Sequence, residues 1–212
     1  MSAKSAASDT KEQLLDAAEE LIAESGYGAT TVRGIVQRAG VNIAAVSYHF
    51  GSKEELFRAV VERIARPVVD QQLQMLAELE HRSQAASVSE ILTAFFTPPL
   101  QLIMQQERCR IVRAQFMGRC RVEPGPIQAI AAGEFAASVT AFLDVLQQAL
   151  PHQSREELAW KLDLLIAVLV RVQTEAGQPS CVLKGNDSAD IERAIDHLVG
   201  FMTPGMQTTI EG

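Results

Sequence analysis

Four histidines (His49, His81, His152, His197) and three cysteines (Cys109, Cys120, Cys181) are the residues best suited to metal or nucleophilic chemistry in this 212-residue chain. The histidines lie on separate segments, and none has a second histidine or a cysteine three or four positions further on. Their spacing therefore forms neither a zinc centre nor a hydrolase constellation. Glycine patterns that cradle phosphates or dinucleotides are also missing. The expectation is no catalytic residue, no metal and no cofactor: not an enzyme. The cysteines are odd in number and lack a C-x-x-C pair, which argues against a disulfide framework and favours a reducing cytoplasm. Cys109 and Cys120 are eleven residues apart, about three helical turns. A thiol-based redox regulator using that pair is therefore an alternative, although Gly118 weakens the continuous helix it needs.

Recognition chemistry is better supplied. The stretch VNIAAVSYHFGSKEEL, Val41 to Leu56, sets a phenol and an imidazole, Tyr48 and His49, beside small residues. Ala44, Ala45 and Ser47 let a backbone approach a groove closely, and an alanine methyl can touch a thymine methyl. Tyr48 and His49 can hydrogen-bond phosphate oxygens, with Thr31, Arg33 and Lys53 clamping the strands on either side. Taken alone, a Tyr-His-Phe trio on a short helix is more often packing than a functional cluster. The elements around it decide.

Those elements are helical. A first helix, from a capping box at Thr10 and Gln13 to a stop at Gly26, presents Leu14, Leu15, Ala18, Leu21 and Ile22 on one stripe. A second begins at Thr30 or Thr31, buries Val32, Ile35 and Val36, and ends before Gly40. Asn42 caps a third that runs to about Phe50, with Val46 and Phe50 as its core anchors. Gly51 ends it, and Ser52 with Glu55 caps a fourth that runs to about Glu80 and is kinked or interrupted at Pro67. Two short helices joined by a tight turn and braced by longer ones form a helix-turn-helix, whose second helix enters the DNA major groove. The net charge of −7 does not oppose this, because residues 1–66 carry 8 basic and 9 acidic side chains and most of the acidity lies beyond them.

The segment GYGATTVRGIVQRAGVNIAAVSYHFGSKEELFRAVV, Gly26 to Val61, resembles the DNA-binding signature of the TetR family of bacterial transcriptional regulators. TTVR, AGV and YHFGSKEEL are all in register. The resemblance covers about the first 65 residues; the remainder is similar in being helical and of suitable length. It implies a homodimer with two DNA-binding heads on double-stranded operator DNA. It also implies a C-terminal domain in which a small-molecule effector controls the heads, and, by family default, repression. By position, Thr31, Arg33, Asn42, Ala44, Ala45, Ser47, Tyr48, His49 and Lys53 would face DNA. Ala44-Ala45 stands where the family commonly has Gly-Thr or Gly-Ala, and Asn42 where it often has Ser, which bears on the operator sequence. The form VNIAAVSYHFGSK is nearest a subgroup that includes fatty-acid-responsive regulators.

The expected architecture is all-α with about nine helices: a disordered leader over 1–9, the helix-turn-helix domain over 10–56, and an effector-binding and dimerisation domain over 57–212. The leader lacks the apolar stretch of a secretory signal, and the longest apolar run, Leu164 to Val170, is far shorter than a bilayer span; no membrane partner is expected. Later helices are expected near 88–106, 108–120, 125–149, 155–175 and 188–202, with Pro98-Pro99 bending or splitting the first of them. Phe95, Phe96, Met104, Phe116, Met117, Phe135 and Phe142 are candidate lining for a hydrophobic or amphipathic effector, although each alone is ordinary core. Arg108, Arg110, Arg113, Arg119 and Arg121 crowd fourteen residues. They form either a solvated face or an anion site, with Arg113 and Arg119 the residues to test. A dimer interface is expected from Leu162, Leu165, Ile166 and Leu169 with Ile191, Ile195 and Leu198, the alternative being an intrachain core. A helical scaffold that does not bind DNA is the remaining alternative.

Overall fold

The computed structural model describes residues 3–101, 110–185 and 187–209. They form nine helices: α1 (Ala3–Ala29), α2 (Val32–Ala39), α3 (Ala44–His49), α4 (Lys53–Glu80), α5 (Val88–Gln101), α6 (Arg110–Val122), α7 (Pro126–Ala149), α8 (Arg155–Thr174) and α9 (Ser188–Gln207). No strand occurs among the described residues.

Local chemistry sets most boundaries. Thr31 Oγ1 accepts from the Gly34 amide at 3.0 Å, Ser52 Oγ from Glu55 at 3.1 Å, and Ser154 Oγ from Glu157 at 3.1 Å, the side-chain caps that satisfy orphan amides at helix starts. Asn42 Oδ1 accepts from the Ala44 amide at 2.9 Å in an Asx turn, while the N-cap of α3 is Ile43 rather than the expected Asn42. Gly26 (φ 82°) breaks the helical path of α1, and Gly40 (φ 69°) closes α2 in the left-handed region, conformations that L side chains rarely adopt. Two further expectations are corrected. Residues 3–9 are part of α1 rather than a disordered leader, since the alanine-rich Ala3, Ala6 and Ala7 favour helix and nothing stops it before Thr10. Both α4 at Pro67 and α5 at Pro98-Pro99 continue uninterrupted. The buried neighbours Ile64, Ala65, Val68 and Val69 hold α4 in the core across the missing hydrogen bond.

Two apolar clusters organise the packing. One joins α1, α2, α3 and the first half of α4 to Phe116, Met117 and Cys120 of α6 and Ile127, Ile130 and Phe135 of α7. The other gathers Leu76 and Leu79 with α5, the second half of α7, α8 and α9. Position 57 lies within α4, which contributes to both clusters, and α6 lies directly against α1. With a mean hydropathy of 1.6, α7 is long and apolar enough to cross a bilayer by composition. Here its apolar side packs along α4, as a core helix does.

The stripes expected at a dimer interface have partners within the chain. Leu162, Leu165, Leu169, Ile191, Ile195 and Leu198 are all buried in their own chain, and Ile166 is partly buried against the same cluster. The reason is that α9 lies on α5 and α8 on α6, so those stripes are already covered. The apolar residues left outward are Trp160 and Leu164 on α8 and Phe201 on α9.

Candidate nucleic-acid interface

The turn between α2 and α3 holds the two short helices against a scaffold made by α1 and α4. Val46 is 3% exposed and faces the core, and Phe50 packs partly against it. The opposite side of α3 is open. Tyr48 is 81% exposed, with its ring edge-on to His49 at 4.9 Å. Asn42, Ala44 and Ser47 are also exposed, Ala45 is half-buried against the core, and Thr31 and Arg33 are exposed at the start of α2. Thr31 Oγ1 uses a lone pair on the Gly34 amide, which leaves its proton free to donate to a phosphate oxygen. Lys53, at the start of α4, is the ninth of the residues expected to face DNA.

Lys53 is more constrained than the sequence suggests. Its Nζ donates to the Tyr27 carbonyl at 3.1 Å and sits 4.3 Å from the Tyr27 ring centroid and 5.4 Å from that of Phe57. Partial burial lowers its pKa below the ordinary lysine value. It therefore ties the start of α4 to the α1–α2 connection. Ile43, 56% exposed as the first residue before α3, is a candidate contact that the pattern reading passed over. Helical spacing gave no warning of it, since positions 43, 46 and 50 fall on one face, yet Ile43 stands at the N-cap and outside the core. Its side chain suits contact with a thymine methyl.

Charged contacts join this head to α6. Glu19 on α1 is 3% exposed and accepts from Arg63 Nη2 at 2.6 Å and Arg113 Nε at 2.9 Å. Arg63 also meets Asp16 and Glu12, at 2.8 and 3.0 Å. At the end of α6, Glu123 accepts the Tyr27 amide at 2.7 Å and is held by Arg119 at 3.2 Å. The acceptor lies so close to Gly26 that a Cβ there would stand 2.4 Å from a Glu123 carboxylate oxygen.

Of the arginines expected on a solvated face or in an anion site, Arg113 and Arg119 each have a carboxylate partner within the chain. The candidate effector lining divides too. Phe95, Phe96 and Phe142 stack edge-on in one cluster, at 5.0 and 5.2 Å, whereas Phe116, Met117 and Phe135 belong to the other. All six are buried, so they do not form one open pocket. Met104 and Cys109 lie outside the described residues. Between the clusters, Gln72 donates to the Phe95 carbonyl at 2.9 Å and accepts from Ser138 Oγ at 2.6 Å, so this buried polar bridge is satisfied.

Comparison with known proteins gives a consistent picture. The family model described as "Bacterial regulatory proteins, tetR family" matches residues 14–60, and that described as "Tetracyclin repressor-like, C-terminal domain" matches residues 93–205. The chain is 31% identical over 121 residues to the HTH-type transcriptional dual regulator CecR of Shigella flexneri, covering 54% of this chain and 52% of that protein. It is 29% identical over 117 residues to the HTH-type transcriptional repressor BepR of Brucella suis, covering 55% and 54%. The matches thus span about half the length of these curated relatives. Among solved structures, it superposes on NalD of Pseudomonas aeruginosa, the secondary repressor of the MexAB-OprM multidrug efflux pump, with a TM-score of 0.64 at 21% identity, covering 94% and 96% of the two chains. PfmR of Thermus thermophilus gives 0.61 at 16% identity, with the same coverage. At these identities the likeness concerns the fold.

Proposed function

Because the chain belongs to the TetR family of bacterial regulatory proteins, and is thus a helix-turn-helix transcriptional regulator, we propose that it is an effector-released repressor that binds a pseudo-palindromic operator as a homodimer. The observation that carries this reading is the division of α3. Val46 is fixed inside while Tyr48, the most exposed of the large apolar or aromatic side chains, stands beside His49 on the outside. Burying Tyr48 would remove apolar surface from water, and nothing in the chain does so.

The homodimer is supported by the outward Trp160 and Leu164 of α8 and Phe201 of α9. Trp160 and Leu164 line an apolar groove of about 350 Å³ together with Met202, the neighbour of Phe201 on α9. A twofold contact on this face places each aromatic twice in one interface. Release by effector is supported by the route from α6 to the head through Glu123 and Arg113. The cytoplasm, where the operator lies, is the proposed location. Thiol sensing is disfavoured, because Cys120 is fully buried and burial pushes its thiol well above the ordinary range, away from the reactive thiolate.

A mobility-shift assay with DNA upstream of the protein's own gene tests the reading. The wild type should shift one sequence in preference to competitor DNA. Both Tyr48→Ala and Arg33→Ala should bind less tightly, and each lost phosphate contact should lower the salt-dependence slope by about one. Equal binding to all sequences would overturn it.

A further inference from the structure

Of the five arginines at 108–121, Arg113 is committed to Glu19 and Arg119 to Glu123. Arg121 is different. Its guanidinium lies 4.3 Å from the centroid of the Phe135 ring. Among the described residues it makes no ion pair and no side-chain hydrogen bond; desolvation by its surroundings draws its pKa down to about 10. It remains a cation at neutral pH, half-buried and without a carboxylate partner among the described residues, so its guanidinium is available to an anion.

That cation stands at the edge of a cleft of about 470 Å³ between α7 and α8. The cleft walls include Phe135, Val139 and Ile166, with Asp163 on the α8 side. An apolar cleft with one oriented charge is the usual form of a small-molecule site. We infer that this cleft is the effector site for a small monocarboxylate with an apolar body. The carboxylate would lie on Arg121 and the body along Phe135, Val139 and Ile166. A single guanidinium can hold one carboxylate bidentately. Asp163 opposes a second negative charge, which disfavours dicarboxylates and phosphate. A cationic ligand would meet the uncompensated Arg121.

The position of Arg121 gives occupancy a consequence, and here the inference rests on the regulator reading. Arg121 is two residues before Glu123, which holds the Tyr27 amide. The Tyr27 carbonyl in turn holds Lys53 at the edge of the DNA-facing surface. A ligand that draws the Arg121 guanidinium towards itself therefore acts on the same turn of α6 that fixes the α1–α2 connection.

Titration calorimetry on the full chain tests the site with octanoate, benzoate, octanol, octylamine and inorganic phosphate as probes. Octanoate or benzoate should bind at least tenfold tighter than octanol, and which of the two is tighter separates chain-like from ring-like bodies. Arg121→Gln, checked for folding by circular dichroism, should lose that tenfold advantage while octanol binding stays unchanged. Asp163→Asn should raise carboxylate affinity several-fold, and it decides the matter if Arg121→Gln does not fold. Carboxylates binding no tighter than octanol to the wild type would overturn the site. So would unchanged affinity in Arg121→Gln, or a failure of Asp163→Asn to raise it. DNA affinity of the wild type is measured in parallel. No sequence-preferring DNA binding defeats the regulator reading while leaving the cleft intact, whereas carboxylate binding that does not alter DNA affinity overturns the effector role.

Discussion

Replacing Glu19 with Gln removes one charge from the point where α1, α4 and α6 meet. The Glu19 side chain is 3% exposed and Arg113 10%, so neither can turn to water without moving a helix. Taking one partner from a buried pair costs about 3–5 kcal/mol, most of it the stranded charge. The lower end applies here, because a glutamine oxygen still accepts one hydrogen bond and Arg63 keeps Glu12 and Asp16. About 3 kcal/mol corresponds to a fall in Tm of roughly 6–12 °C for a chain of this size. The matched control is Glu12→Gln, whose carboxylate is 58% exposed; a pair of that kind is worth about 1 kcal/mol or less. Urea denaturation at fixed protein concentration measures both, and the concentration must be held because dimerisation adds to apparent stability. A double-mutant cycle of Glu19→Gln with Arg113→Gln should show a coupling of at least about 1 kcal/mol. Equal destabilisation by Glu19→Gln and Glu12→Gln would refute the reasoning, since burial would then not be what makes this contact strong.

Other expected outcomes follow from the packing. Gly118→Ala would put a Cβ 2.9 Å from the Thr174 backbone nitrogen, so α8 must shift, at a cost of about 1–3 kcal/mol in denaturant unfolding. Gly133→Ala, in open space on α7, should instead stabilise by about 0.5–1 kcal/mol. Phe201→Glu should weaken the proposed dimer about a thousandfold in sedimentation velocity, because a central aromatic worth about 2 kcal/mol is lost twice; an unchanged dimer would place the interface elsewhere. Mass-mapped alkylation should leave Cys120 unmodified at pH 8 until denaturant is added, since burial raises its pKa and keeps the thiol protonated; rapid labelling would revive a thiol switch.

What the sequence disclosed and what it hid divide by range. Caps at Thr31, Ser52 and Ser154 were legible because a side chain and an amide three residues away make the whole structure. The recognition face was legible for a similar reason: Val46 and Phe50 share a helical face, which leaves Tyr48 outside. The α9 stripe was legible only in part, because periodicity reports that Ile191, Ile195 and Leu198 are buried, not by what; α5 packs on α9 here, and Phe201, further along the helix, is left outward. Arg113 looked available because Glu19, its partner, lies 94 positions away in the chain. Gly118 read as a weak point in a helix, whereas it is where α6 comes close to α8.

The central claim concerns the outer face of α3, and the most direct measurement is selection of the full-length protein on randomised duplex DNA, followed by affinity titration of the recovered sequence across salt concentrations. The account predicts a pseudo-palindrome whose half-sites lie about one helical turn, 34–36 Å, apart. It also predicts binding that falls steeply with salt, and Tyr48→Ala enriching the same sequence with lower affinity. Recovery of no common sequence, or wild-type affinity in Tyr48→Ala together with Arg33→Ala, would contradict it.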